Sequence, residues 1–183
     1  MKRYLPLLPV IIFPYLVVFT LLCMFNENFM KTFCSNDGSY LLLALLILYV
    51  IALVFSIVVF ITGLIKKREA QDLLRINMVI KLIHIPAYIL IFCVGSICLL
   101  TIFTFGISIA LMILDGMTIL LSGLIGLAGV IRAFHEEKLS KKTAIIHGIF
   151  QFVFCADVIN SIIVYRKVKL LGEIINNPLQ NRL

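Results

Sequence analysis

From Lys81 to Ile131 the chain runs for 51 residues with one acidic side chain, Asp115, and no Lys or Arg after Lys81. A membrane-crossing helix needs only about 20 apolar residues to traverse a hydrocarbon core of about 30 Å. The stretch is therefore long enough for two spans. Its best dividing point is Phe103-Thr104-Phe105-Gly106, where glycine permits a tight turn. This predicts spans at about 81–103 and 106–131.

Composition extends that reading to the whole chain. Hydrophobic residues make up 62% of 183 positions, charged residues 14%, and mean hydropathy is +1.15. Soluble domains are nearer half apolar and a quarter charged, so this chain lacks the polar residues to cover a water-facing surface. The expected fold class is all-α, an integral membrane helical bundle of about five transmembrane helices, with residues 1–183 forming one bundle. The net charge of +7 does not point to nucleic acid, because the bases sit at segment ends, as expected of cytoplasmic loops.

The remaining spans follow from apolar length and breaks. The N-terminal MKRYLPLLPVIIFPYLVVFTLLC resembles a secretory leader, but its apolar run is long and no small-x-small site follows. It is expected as an uncleaved first span, about 4–24, made irregular by Pro6, Pro9 and Pro14. A polar loop, 25–39, precedes a second span at about 40–65. The mixed segment 66–81 is expected as helix along the membrane surface. A basic loop, 132–143, precedes a fifth span at about 143–165, and a short tail, 170–183, is expected to be poorly ordered. With the N-terminus cytoplasmic, eleven Lys and Arg fall inside and five outside. If segment 143–165 only dips into the membrane, the tail stays inside and the count becomes fifteen against one.

Three groups of residues are candidates for function. The first is intramembrane and polar: Asp115, Asp157, His147 and Gln151. Taken as one helix, segment 143–165 puts His147, Gln151, Cys155, Asp157 and Ser161 on one arc. Such a face should point into the bundle or a wet cavity. Counting residues puts Asp115 and Asp157 at one depth, with Tyr15 and Tyr49 nearby, and two adjacent carboxylates would share a proton. The plainer alternative is that each Asp hydrogen-bonds to Ser, Thr or Tyr and fixes packing. The second group is the small-residue face of Ser122, Gly126 and Gly129, in register with Asp115, Thr118 and Ala133 at helical spacing. Small residues let a neighbouring helix approach closely, either within the chain or between copies.

The third group is His135-Glu136-Glu137, which lacks the second histidine of a zinc-protease His-Glu-x-x-His helix because position 139 is Leu. It is expected as a solvated loop. His84 and His147 are read as hydrogen-bonding residues, so no metal and no cofactor is expected. The five cysteines, Cys23, Cys34, Cys93, Cys98 and Cys155, have no zinc or disulfide spacing.

The segment HGIFQFVFCADVINSIIVYRKVK, with His147, Gln151, Phe152, Asp157 and the Tyr165-Arg-Lys-Val-Lys ending, resembles the C-terminal part of a group of small, uncharacterised multi-pass membrane proteins of Firmicutes-type bacteria. The resemblance implies a bacterial plasma membrane and brings no activity. The expected function is that of a non-enzymatic membrane component acting by helix–helix association, in contact with the lipid bilayer and with a second copy or another membrane protein. The alternative is a small carrier or channel-like protein for protons, ions or a small solute.

Overall fold

Backbone N–H and C=O groups in lipid must bond within their own segment, and helix is how an apolar run does so. The structure is a computed structural model that describes residues 5–35, 37–100 and 102–176. Seven α-helices and no strand occur among them. They are α1 (Leu8–Met24), α2 (Glu27–Phe33), α3 (Ser39–Ile65), α4 (Ala70–Leu99), α5 (Phe105–His135), α6 (Lys141–Phe150) and α7 (Ala156–Asn176). Short 3-10 turns, Leu5–Leu7 and Ile102–Thr104, precede α1 and α5. Among the described residues α3, α4 and α5 are long and apolar enough to cross a membrane. The pair α1 and α2, bent by 97° at their break, would be a fourth crossing if taken together.

The chain divides into two compact units, residues 1–55 with 83–118 and residues 56–82 with 119–183. In the first, the Phe13 ring packs on Tyr49 at 5.5 Å between centroids, and the Tyr15 hydroxyl donates to the Ile83 carbonyl. Ser108 Oγ donates to the Gly95 carbonyl at 2.9 Å, tying α5 to α4. Val10, Phe13, Val17, Ala52 and Ala87 are fully buried there.

In the second unit, Ser56 Oγ donates to the Leu121 carbonyl at 2.6 Å, joining α3 to α5. Ala70, Leu74, Val130, Ala133, Leu139, Val164 and Val168 form one apolar core from α4, α5, the following loop and α7. That core explains why the 66–81 segment departs from the expected surface helix. Ala70, Leu73, Leu74, Ile76, Asn77 and Ile80 are buried, so the segment is the first part of α4. The span expected at 81–103 is accordingly a helix of 30 residues beginning at Ala70.

The larger departure concerns 143–165. The helix is interrupted between Phe150 and Ala156, with Cys155 at φ 61°. Here α6 and α7 form a hairpin, tied by His147 and Asn160. Beyond the turn α7 returns to the loops. Val164 and Val168 share the core with Ala70 and Leu139, and a Cβ on Gly172 would lie 3.7 Å from Gln71 Oε1 and 3.8 Å from Lys138 Cε. A single helix over 143–165 would carry its end away from those loops instead. The tail forms helix as far as Asn176, and positions 177–183 lie outside the described residues.

Candidate functional site

The hairpin turn creates an electrostatic problem that neighbouring side chains solve. At the end of α6 the Gly148 and Ile149 carbonyls accept from the Gln151 and Phe152 amides, and this end of a helix carries partial negative charge. The Lys81 ammonium, from α4, is placed there and donates to the Gln151 carbonyl at 2.9 Å. The start of a helix carries partial positive charge, and Asp157 occupies the first turn of α7. Lys81 Nζ also donates to Asp157 Oδ2 at 2.9 Å. Each charge therefore faces the helix end of opposite sign, as well as its partner.

The site is buried and tightly bounded. Lys81, Gln151 and Asn77 are 0% exposed and Asp157 is 1% exposed. Asn77 Nδ2 donates to Gln151 Oε1 at 3.0 Å. Gly126 of α5 forms the floor, where a Cβ would fall 2.4 Å from Gln151 Oε1 and 2.5 Å from Asn77 Nδ2. At Gly123 an added Cβ would lie 2.6 Å from the Phe152 ring, and at Gly129 2.8 Å from Leu74. Ser122 is wholly buried. The face of Ser122, Gly126 and Gly129 thus packs within the chain, admitting α4 and the 151–152 turn.

Three atoms of the site, Asn77 Oδ1, Gln151 Nε2 and Asp157 Oδ1, have no hydrogen-bond partner among the described residues. Leaving a buried polar atom unmatched costs about 1–3 kcal/mol. The site retains two acceptors and one donor beside an ion pair, a combination suited to exchanging a proton or holding a small polar species. Among the described residues no cluster of three His, Cys, Asp or Glu suits a metal ion.

The candidates from the sequence divide between the units. Gln151 and Asp157 meet at Lys81. His147 instead faces Asn160: Asn160 Nδ2 donates to the His147 carbonyl at 2.9 Å, and its Oδ1 faces the ring Nδ1. Cys155 is exposed and Ser161 donates back to the Val158 carbonyl. The arc expected of these residues is therefore not a helix face, because the helix ends at Phe150. Asp115 is buried in the first unit. The charge matched to Asp157 is the cation Lys81.

Sequence reasoning missed Lys81 and Asn77. By sequence Lys81 reads as a surface base because it closes the charged segment 66–81. The signal for it was spacing: Leu74, Asn77 and Lys81 follow at intervals of three and four on one helix face.

Glu136, from the His135-Glu136-Glu137 group, is a structural staple. Its Oε1 accepts from the Ala70 amide at 2.9 Å, capping α4, and from Arg132 at 3.1 Å, while Oε2 accepts from Lys138 at 2.8 Å. No curated protein and no solved structure matches the chain. Residues 2–170 match the family described as Family of unknown function (DUF6652), and the chain belongs to that family.

Proposed function

We propose that this is a non-enzymatic protein of a bacterial plasma membrane that passes protons, ions or a small solute, with the Lys81–Asp157 site coupling occupancy to movement of the α6–α7 hairpin. The observation that carries the reading is the fully buried ion pair at the hairpin turn, beside three unmatched polar atoms. Lys81 lies fully buried six residues beyond the exposed Arg75, about 9 Å further along an apolar helix long enough to cross a membrane. Ionisable groups buried within such a helix are costly and typically mark ion or proton paths. Broken helices within the membrane are tolerated where they are buried in protein or line a cavity, and transporters use their ends to hold charge.

In this reading α1 with α2, α3, α4 and α5 make four crossings, and α6–α7 enters from the cytoplasmic side and returns there. The Ser122–Gly126–Gly129 face is filled within the chain, so association with a partner loses its main support. Reconstitution in liposomes with proton- and cation-sensitive dyes tests the proposal. Wild-type protein is expected to conduct one of H+, Na+ or K+ above empty liposomes, and Asp157→Asn to fall to their level. Wild-type liposomes indistinguishable from empty ones for all three ions would defeat it.

A further inference from the structure

A groove of about 460 Å³ lies in the second unit between α5 and α6. Its walls are apolar, with Ile131 and Phe134 from α5 and Ile145 and Ile149 from α6. Phe152 stands at the hairpin-turn end and Lys141 at the other. Phe134, Ile145, Ile149 and Phe152 are all exposed, so the groove opens outward. We infer that it binds one acyl chain of an anionic glycerophospholipid from the leaflet on the loop side, with the phosphate held at Lys141 and Lys142.

Length, polarity and charge each argue for this occupant. The groove follows α6, whose ten residues rise about 15 Å, half of a hydrocarbon core of about 30 Å, the depth of one leaflet. An apolar channel of that length matches one lipid tail. The cationic end coincides with the loop that leads into the helix, where a headgroup would sit. Glu136 in that loop is engaged by both Arg132 and Lys138. Lys141 and Lys142 are exposed in the first turn of α6, and that helix end itself favours an anion. Basic pockets between membrane helices on the cytoplasmic side are a recurring way of holding anionic headgroups.

The test is native mass spectrometry of the full chain in detergent, titrated with phosphatidylglycerol or phosphatidylcholine carrying identical tails. One phosphatidylglycerol is expected to be retained at least about tenfold better than phosphatidylcholine, since two lysines act on the headgroup. Lys141→Ala with Lys142→Ala should abolish that preference while leaving the melting temperature in phosphatidylcholine micelles unchanged. A short-chain phosphatidylglycerol should be retained poorly by the wild-type chain, a comparison that needs no variant to fold. Equal retention of the two lipids, equal retention of short and long tails, or the same stabilisation by inorganic phosphate alone would each overturn the proposal. None of these outcomes depends on ion passage at Lys81.

Discussion

Lys81 holds two positions together at once, and its removal should cost more than the loss of one ion pair. Breaking a buried pair by neutralising one member typically costs about 3–5 kcal/mol, because the other charge is left uncompensated. Asp157→Asn and Lys81→Met are each expected in that range when unfolding is followed in detergent. The double variant should recover much of the loss, since no charge remains. It should still fall short of wild type by about 1–3 kcal/mol, the cost of the Gln151 carbonyl that Lys81 no longer caps. A double variant as stable as wild type would mean that the carbonyl has found another partner. Glycine positions on α5 make a second contrast at this scale. Gly126→Leu must displace Gln151 and Asn77 and should cost at least about 1–3 kcal/mol. A Cβ at Gly116 meets nothing within 4 Å, so Gly116→Ala should gain up to about 1 kcal/mol from helix propensity. The Gly126 face was legible in the sequence because small residues recur there at helical spacing. Its target was not, because Asn77 and Gln151 lie 49 and 25 residues away in sequence and only packing brings them to it.

The helices themselves are delimited by local hydrogen bonding that the sequence only partly discloses. Both α3 and α5 end in the same motif. Arg68 N bonds to Gly63 O and Lys67 N to Leu64 O, and Lys138 N bonds to Ala133 O and Glu137 N to Phe134 O. The left-handed residue of this motif is usually glycine, yet here it is Lys67 at φ 47° and Glu137 at φ 57°. A side chain in that region costs about 1–2 kcal/mol. Lys67→Gly and Glu137→Gly should therefore each raise the melting temperature rather than lower it. With no glycine at either stop, apolar length is the signal the sequence offers, and it ends the expected second span at 65, where α3 ends. Apolar length alone suffices for α3, but the turn expected at Gly106 falls earlier: α4 ends at Leu99 and α5 begins at Phe105, with Gly106 inside the helix. The interruption after Phe150 gives no such warning, since Phe152, Val153 and Phe154 continue the apolar run and Lys81, which caps the turn, lies on another helix. At the start of α3 the Ser39 amide donates to Asp37, holding that carboxyl below the usual carboxylate range. A depressed value in the folded state means the stabilisation is complete above the unfolded value of about 3.9. It is then lost as pH falls through the lower folded value. Melting curves of Asp37→Asn and wild type should therefore converge in acid and separate toward neutral pH.

For the whole molecule the decisive quantity is the side on which α7 ends. Within the second unit, the start of α4, the loop after α5 and the end of α7 share one core, so positions 67, 139 and 176 belong to one end of that unit. Under the four-crossing arrangement that end is cytoplasmic. With Lys81 withdrawn into the protein, fourteen of the other fifteen Lys and Arg then fall on one side by sequence position, leaving Lys31 alone opposite. A fifth crossing would instead put Arg166, Lys167, Lys169 and Arg182 outside and would pull Val164 and Val168 off the core they share with Ala70. Labelling of single-cysteine variants on intact cells with a membrane-impermeant maleimide reads this directly. Cys34, or an exposed neighbour such as Phe33→Cys since Cys34 is itself buried, should label from outside. Cysteines at 67, 137 and 176 should label only after the membrane is opened. Labelling at 176 on intact cells, with 67 and 137 still protected, would restore the fifth crossing and remove the re-entrant hairpin on which the Lys81–Asp157 reading depends.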